Sequence, residues 1–400
     1  MIHVNPLSDF FTRVSRACDG AINRLPGFLV VTTLTATLML VAATAQTNSF
    51  QQAARQTPSF QGLGQMPGVW PAAGTYASAI SGDGSTIMGY GWVCLNGGSS
   101  CNSSDTVLAY RWTLAGGYQI LGSRGSSDFF GAGTVSSDGS VVAGEHALPN
   151  KFDAFRWTAA HGMMRLPMNI ASAITGDGAM VAGGDNWWNT SGQAGIFGPF
   201  AGNQDQTSAF GLSGTAQAPV AVGAAIKGSG GNGATFHAFR WTPAGGLQDL
   251  GLTTGSESFA TAISANGLVV VGEARDASGF WRAFRWTAST GMQDIGTLGG
   301  PESAAFAVNN DGSVIVGTSL TSRSSGSNDA FVWTAKTGMQ DLLTALQAVG
   351  VHTADKWVSL VTVDGISADG TVIVGYGLNP RTKAFPFGQW EPFRVVLPVP

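Results

Sequence analysis

Short stretches in which apolar and polar residues alternate recur along most of the chain. In the clearest form, an alternating stretch leads through Asp-Gly or Asn-Gly into a valine-rich stretch that ends at glycine, as in AISANGLVVVG at 262–272. Because Asn, Asp and Gly tolerate positive φ, such a pair of stretches predicts a β-hairpin. Seven copies, of which GLSGTAQAPVAVG at 211–223 is degenerate, end at the repeat glycines Gly89, Gly144, Gly183, Gly223, Gly272, Gly317 and Gly375.

A second landmark is the phrase Ala-Phe-Arg-Trp-Thr. Clear copies lie at 109–113, 154–158, 238–242, 283–287 and 330–334, and we assign weaker copies to IFGPF at 196–200 and AFPFGQW at 384–390. In a strand, Phe and Trp of this phrase point to one side, and Ala, Arg and Thr to the other. We therefore interpret the repeat tryptophans as packing residues; they are Trp112, Trp157, Trp241, Trp286 and Trp333.

The sequence pattern of each repeat unit predicts four short strands. In the fifth unit these are SFATAIS, LVVVGEA, AFRWT and MQDIG. Four antiparallel strands in about 40–50 residues are typical of one blade of a β-propeller. The sequence therefore predicts an all-β protein, a propeller of seven blades with four antiparallel strands each, over residues 59–400.

The repeat resembles the HAF repeat of a family of bacterial extracellular proteins. The shared features are Ala-Phe-x-Trp-Thr, Met-Gln-Asp-Leu-Gly and Ser-x-Asp-Gly-Ser-x-Val-x-Gly, and the triplet His-Ala-Phe itself stands at 237–239. The resemblance implies an exported repeat protein with a propeller-like fold and no established catalytic activity. The residue before Ala-Phe varies, so the histidine is not a fixed chemical participant; it is Leu108, Asp153, His237, Arg282, Asp329 or Lys383.

The N-terminal residues have the pattern of an export signal. Arginines at 13, 16 and 24 precede an apolar stretch at 28–43, and Ala43-Thr44-Ala45 matches the small-x-small pattern of signal cleavage. We predict a cleaved signal at residues 1–45, with an uncleaved anchor as the alternative, and a flexible linker at 46–58. The later chain has no apolar stretch of spanning length, so we expect no membrane span after cleavage and a periplasmic, extracellular or cell-surface location.

Two cysteines remain after such cleavage. Cys94 and Cys101 are separated by LNGGSS. Six flexible residues can bring the two Cα atoms within disulfide range, and export places them in an oxidising compartment. We predict a disulfide that stiffens a local loop.

Charge and the scatter of ionisable residues limit the chemistry. Only 11% of the residues are charged and the net charge is -4, without a basic run, which argues against a nucleic-acid partner. The histidines of the mature chain lack metal-ligand spacing, and turn aspartates are explained by hydrogen bonds to their own backbone rather than by calcium. We expect no metal site and no cofactor.

Connections of unequal length indicate where binding would reside. In an up-and-down blade, the uniform turns after strands 1 and 3 lie at one end, and the variable connections after strands 2 and 4 lie at the other. Variable loops on a rigid scaffold usually carry binding. Two aromatic pairs, Trp187-Trp188 and Phe280-Trp281, fall there by sequence spacing. They suit stacking on a sugar ring or a protein hot spot, although packing inside an irregular third blade is the alternative for the first pair.

We therefore predict a non-enzymatic, exported propeller that binds a cell-surface glycan or protein, or serves as a scaffold, through this face. The alternative is a polysaccharide-active hydrolase or lyase that uses carboxylates on the same face. Glu145 and Glu273, each directly after a repeat glycine, are the candidates for that chemistry. The low acidic content of the variable connections favours the binding module.

Overall fold

Seven four-stranded antiparallel sheets make up the described part of the chain. The structure is a computed structural model that describes residues 57–69, 74–93, 106–121, 129–148, 151–200, 206–228, 235–322, 328–379 and 388–398. The predicted export signal and the Cys94–Cys101 pair lie outside these residues. The sheets are the blades of a seven-bladed β-propeller, so the predicted fold is confirmed.

The strands fall into blades in chain order. Blade 1 comprises β2 Thr75–Ile80, β3 Thr86–Val93, β4 Thr106–Thr113 and β5 Gly117–Ile120. Blade 2 comprises β6 Phe129–Val135, β7 Val141–Leu148, β8 Lys151–Thr158 and β9 Gly162–Arg165. Blade 3 comprises β10 Ala173–Ile174, β11 Met180–Gly183, β12 Asn186–Asn189 and β13 Ala194–Ile196. Blade 4 comprises β14 Thr207–Thr215, β15 Ala218–Lys227, β16 Thr235–Thr242 and β17 Gly246–Asp249.

The remaining blades follow the same order. Blade 5 comprises β18 Ser258–Ile263, β19 Val270–Arg275, β20 Trp281–Thr287 and β21 Gly291–Asp294. Blade 6 comprises β22 Gly299–Val308, β23 Val314–Thr321, β24 Asn328–Thr334 and β25 Gly338–Asp341. Blade 7 comprises β26 Ser359–Ile366, β27 Val372–Leu378, β28 Trp390–Val396 and, as its fourth strand, β1 Ser59–Gly62. The ring is therefore closed by pairing of β1 with β28.

The first turn of each blade is built from its own polar residues. In blade 1, Asp83 Oδ1 accepts hydrogen bonds from the Ser81 hydroxyl at 2.5 Å and from the Ser85 N–H at 2.9 Å. The Ser81 oxygen in turn accepts from the Thr86 N–H at 3.0 Å. Gly84, with φ of 72°, adopts the left-handed conformation that a side chain disfavours. The Ser-x-Asp-Gly sequence therefore makes the hairpin.

The phrase Ala-Phe-Arg-Trp-Thr packs each blade between its neighbours. In blade 5, Phe284 and Trp286 join a cluster with residues of blade 4, whereas Ala283 joins a cluster with residues of blade 6. The arginine of the phrase also contacts the next blade: Arg156 Nε donates to Gly178 O at 3.2 Å. Aromatic bulk on one side and a small residue on the other thus let successive blades pack closely.

Close backbone approach explains the repeat glycines. A Cβ at Gly272 would lie 2.0 Å from the Phe259 carbonyl oxygen on the neighbouring strand, and one at Gly89 would lie 1.9 Å from that of Tyr76. Neither glycine has a positive φ. The position excludes side chains for steric reasons and not because of a turn.

The weaker phrase copy at 196–200 is wrong as a third strand, and residues 384–387 of the other weaker copy lie outside the described residues. In blade 3 the third strand is β12, with Trp188 opposite Val181 as Trp286 is opposite Val270 in blade 5. In blade 7 it is β28, where Phe393 lies opposite Gly375. Phe197 and Phe200 instead follow β13 and are buried against blade 4.

The long connection before blade 7 contains α1, Leu342–Ala348, and a short 3-10 helix, Thr353–Lys356. The Asp341 side chain caps α1 by accepting from the Thr344 N–H at 2.7 Å. Leu342 and Leu346 are buried in the core shared by blades 6 and 7. The helix therefore fills a joint between blades. No helix among the described residues has the length and apolar character needed to cross a bilayer.

Candidate functional site: the axial channel and the connection face

The propeller has two ends of different character. We call the end with the turns after strands 1 and 3 the turn face, and the end with the connections after strands 2 and 4 the connection face. The first strand of every blade is innermost and surrounds the axis. A channel along this axis is a second candidate site beside the connection face, because ligands favour concave sites.

The channel contains a cavity of about 490 Å³ lined by all seven first strands. One apolar residue from each blade, directly before the turn, contributes to its wall. We call these residues the apolar ring: Ile80, Val135, Ile174, Leu212, Ile263, Val308 and Ile366. The ring is a direct product of the repeat, since Ile, Val or Leu stands before the turn in every unit.

A β-bulge interrupts the first strand in six blades. It inserts one residue two positions before the apolar ring, and this residue retains some solvent exposure in every case. The bulge residues are Ser78, Gly133, Phe210, Thr261, Phe306 and Asp364. Ser172 takes the corresponding place just before β10. Asp364 is thus the one ionisable residue at this position.

The side-chain carboxyl group of Asp364 is largely shielded from water. It lines the cavity, and its Oδ1 lies 3.4 Å from the Thr362 hydroxyl, whereas its Oδ2 is out of contact with solvent and has no hydrogen-bond partner among the described residues. Burial raises the pKa of Asp364 to about 7, and the Thr362 hydroxyl opposes this only weakly. Sequence reasoning missed this residue, although aligning the seven first strands would have shown a carboxylate where the other units have Ser, Thr, Gly or Phe.

Backbone hydrogen bonds between neighbouring turns encircle the channel on the turn face. Among the described residues they join every pair of adjacent blades except blades 4 and 5. They run from the N–H to the carbonyl oxygen in the pairs Asp83–Ser137, Ser137–Gly176, Gly176–Gly214, Asn266–Asn310, Asn310–Ala368 and Ala368–Gly82. The interruption falls at the degenerate turn of blade 4, where the turn aspartate is missing and the Ser213 hydroxyl has no hydrogen-bond partner in the described part of the chain.

The turn aspartates hold their own turns. Asp177 accepts from the Thr175 hydroxyl and the Ala179 N–H, and it also accepts from the Ala216 N–H of blade 4 at 3.2 Å. Burial tends to raise the pKa of Asp177, but these hydrogen bonds outweigh it and lower the pKa. Among the described residues no group of three or more His, Cys, Asp and Glu is arranged to hold a metal ion.

On the connection face, blades 4 and 5 share a set of aromatic residues in contact with one another. The rings of Phe236 and Phe259 lie 5.4 Å apart, and Trp281 meets Phe259 edge-on at 5.5 Å. The Arg275 guanidinium lies 4.3 Å from the centre of the Trp281 ring, and its Nε donates to Glu257 Oε2 at 2.9 Å. We call Phe236, Phe259 and Trp281 the aromatic platform.

Phe280 stands beside this platform in the connection between β19 and β20. Its side chain is 43% exposed. The connection is held in shape because Asp276 accepts from the Phe280 N–H at 3.0 Å and from Arg282 Nε at 3.0 Å. The structure therefore places the predicted pair Phe280 and Trp281 on the connection face, one exposed and one half-buried.

Trp187 and Trp188 do not lie in a connection, and the predicted location is wrong. Both belong to β12, because blade 3 turns back directly after Gly183 with only two residues between its second and third strands. Trp188 packs on the cluster that joins blades 2 and 3, and Trp187 covers Gly195 in its own blade. Both side chains are half-buried.

In blades 2 and 4 the variable residue before Ala-Phe contacts the end of the fourth strand. His237 Nδ1 lies 3.1 Å from Asp249 Oδ1, and Asp249 also accepts from Lys227. In blade 2 the charges are exchanged, since Asp153 pairs with Arg165. In these two blades the pairs join strands 3 and 4, whereas Arg282 of blade 5 pairs with Asp276 in the connection before its own strand.

Glu145 and Glu273 lie in blades 2 and 5, which are not neighbours. Burial raises the pKa of each carboxyl, and the nearby Glu302 of blade 6 raises that of Glu273 further. The two carboxylates proposed from sequence for glycoside chemistry are therefore not brought together.

Known proteins resemble this chain in fold alone. No family model matches it, and no curated protein matches it. The β-propeller domain of the Trilobed protease from Pyrococcus furiosus, which has an open velcro topology, is 9% identical over 80% of this chain and 95% of that chain, with a TM-score of 0.50. This likeness supports the propeller fold, although here β1 closes the ring.

Two further structures are similar at lower scores. TolB from Acinetobacter baumannii is 12% identical over 63% of this chain, with a TM-score of 0.43, and this chain spans only 61% of that TolB. An oligogalacturonate lyase in complex with manganese is 11% identical over 86% of this chain and 97% of that chain, with a TM-score of 0.46. At such identities neither likeness bears on the activity of this chain.

Proposed function

We propose that the protein is a non-enzymatic binding module that is exported, as its resemblance to the HAF-repeat family implies, and that docks a cell-surface glycan on its connection face. The observation that carries the proposal is the exposed ring of Phe280, next in sequence to Trp281. Trp281 itself is held in place by contacts with Phe259 and Arg275. An aromatic ring held at the surface offers stacking area without the entropy cost of ordering a loose side chain.

Polar groups next to the rings supply the second requirement of sugar recognition. Arg275 lies over the Trp281 ring and Arg282 follows Trp281 in β20, and each arginine is oriented by an acidic partner, Glu257 and Asp276 respectively. Stacking on a sugar face combined with fixed donors at its edge is a common arrangement for carbohydrate recognition. The proposed surface rests on Phe280 and Trp281 and leaves out Trp187 and Trp188, because those two pack within and beside blade 3.

A glycan-array screen on the purified protein tests the proposal, with Phe280→Ser as the variant. Leu114→Ser is the matched control, because Leu114 is 71% exposed in a turn on the opposite face. We expect Phe280→Ser to weaken capture about tenfold or more while Leu114→Ser leaves it unchanged, with equal melting temperatures. Unchanged capture by Phe280→Ser would contradict the proposed surface.

Two readouts separate the other possibilities. Capture of surface material that survives removal of glycans but is lost on protease treatment would indicate a protein partner in place of a glycan. Product analysis on every glycan that binds tests the non-enzymatic part of the proposal. Shortened or unsaturated products would favour the hydrolase or lyase alternative.

Mass spectrometry of native material tests export. Cleavage after Ala45 predicts a mature chain that begins at Gln46. Native protein that retains residues 28–45 would contradict a cleaved signal.

A further inference from the structure

We propose that the axial channel is a second binding site, separate from the connection face, which takes an ammonium or guanidinium group carried on a slender apolar stem. Asp364 is the residue that recognises the cationic group. The proposal goes beyond glycan docking, because it concerns another surface and another ligand chemistry.

The hydrogen-bonding state of Asp364 distinguishes it from its counterparts in other blades. The Thr261 hydroxyl donates to Ala305 O at 2.6 Å and the Ser172 hydroxyl donates to Ala209 O at 2.7 Å, so each ties its first strand to the next blade. Asp364 Oδ2, in contrast, has no partner among the described residues. A buried acceptor left without a donor costs free energy. Because Oδ2 has no contact with solvent in this structure, the proposed binding requires the Asp364 carboxyl to rotate so that this oxygen faces the cavity, where an ammonium group supplies the missing donor.

The channel wall offers no cation of its own. The described residues that line the cavity include no Lys, Arg or His, and their other carboxylate, Asp177, is already engaged by its turn and by Ala216. An entering cation therefore meets a single unneutralised carboxyl group. The phrase arginines stand on third strands and not among these lining residues.

The apolar ring is the part of the site that would contact the apolar stem of the ligand. A cavity of about 490 Å³ with seven aliphatic side chains around its axis accommodates a narrow alkyl chain, such as that of a lysine side chain or an alkylamine. Burial of this chain supplies the apolar part of the affinity. A hydrated metal ion would gain nothing from such a wall.

The ionisation of Asp364 makes the site pH-dependent. Its ionisable neighbours are the phenols of Tyr90, Tyr110 and Tyr376, whose pKa values burial raises. They stay neutral over the range in which Asp364, with a pKa of about 7, loses its proton. An organic cation therefore binds the ionised form, and its affinity should rise from about pH 6 to about pH 8.

Calorimetric titration of the purified protein with 1-hexylamine tests the site, with 1-hexanol as the neutral analogue of equal length. Asp364→Ser is the first variant, because serine holds the same bulge position in blade 1. Asp364→Asn is the second, in case the serine variant folds poorly. Asp311→Asn is the control, since blade 5 has Asn266 at the equivalent place of the same turn.

We expect hexylamine to bind the wild-type protein with a Kd of about a millimolar, and more tightly at about pH 8 than at about pH 6. Both Asp364 variants should weaken hexylamine about tenfold or more, whereas Asp311→Asn and Phe280→Ser leave it unchanged. Equal binding of hexanol, unchanged binding by either folded Asp364 variant, or absence of binding at about pH 8 would overturn the proposal. Displacement of hexylamine by calcium chloride would contradict an organic-cation site.

Discussion

Phe60, in the first strand of the propeller, is the cross-strand partner of Val395 in the last strand. Its ring lies 5.2 Å from that of Trp357 and 5.6 Å from that of Phe393. One residue near the start of the described chain thus joins the core of blade 7 to the long connection before it. Closure of the propeller therefore depends on side-chain packing as well as on the hydrogen bonds between β1 and β28.

Replacing Phe60 by Ala should therefore destabilise the whole propeller. Loss of a buried aromatic ring from this joint should lower the free energy of unfolding by about 2–4 kcal/mol. Gln61→Ala is the control, because Gln61 is exposed in the same strand. Urea unfolding followed by tryptophan fluorescence measures both. Equal stability of the two variants would mean that β1 adds little to closure.

A second prediction concerns the repeat glycines. Gly272→Ala should cost about 2–4 kcal/mol, because its methyl group would lie 2.0 Å from the Phe259 carbonyl oxygen in a backbone that cannot move without disturbing the sheet. Gly245→Ala should cost less, since the single atom near its methyl group is the Thr242 hydroxyl oxygen at 2.9 Å, which belongs to an exposed turn and not to a paired backbone. Comparable unfolding midpoints would contradict the steric explanation.

The fold followed from sequence because the repeat is a packing pattern. Ser-x-Asp-Gly determines the hairpin turn locally, and Phe284 and Trp286 show why bulk alternates with small residues along the third strand. These are short-range properties that recur seven times, so each copy supports the others. Ring closure by β1 could not be predicted in this way, because SFQG is too short to carry a periodic signal.

The errors arose where a unit departs from the repeat. Blade 3 replaces the phrase by Asn-Trp-Trp-Asn and shortens the connection before it, so the sequence predicts a loop at Trp188 where the structure has strand β12. Asp364 could not be predicted for a different reason. Its candidacy depends on burial at a β-bulge and on an Oδ2 atom without a hydrogen-bond partner among the described residues, and no local motif encodes either property. Phe280 was predictable, because its polar connection keeps it at the surface.

A third prediction follows from the position of Trp188. Because Trp188 takes the strand position that Trp286 takes in blade 5, Trp188→Ala should lower the free energy of unfolding by about 2–4 kcal/mol. Trp286→Ala should cost about 3–5 kcal/mol, and Asp311→Ala about 1 kcal/mol or less. Thermal and urea unfolding of the three variants measure the order. A Trp188 variant as stable as the Asp311 variant, with ligand capture lost, would restore Trp188 to the binding surface.

The last prediction concerns the pH dependence of stability. The pKa of Asp364 is raised to about 7 in the folded protein from the ordinary value of 3.8. Between these two values the folded state holds a proton that the unfolded state has released, so this residue makes the protein less stable as pH rises. Above about pH 7 the loss is complete.

Asp364→Asn removes this titration and should be more stable than the wild-type protein at about pH 8, by about 1–3 kcal/mol. The difference should shrink towards about pH 4, which is close to the ordinary pKa of 3.8, because the unfolded chain there begins to hold the proton that the folded protein keeps. Asp311→Asn should show the opposite sign: the pKa of Asp311 is lowered because hydrogen bonds from its turn outweigh burial, and its stabilisation is lost as pH falls. Urea unfolding from about pH 4 to about pH 8 measures both curves. A constant difference between Asp364→Asn and wild type across that range would show that Asp364 does not titrate there.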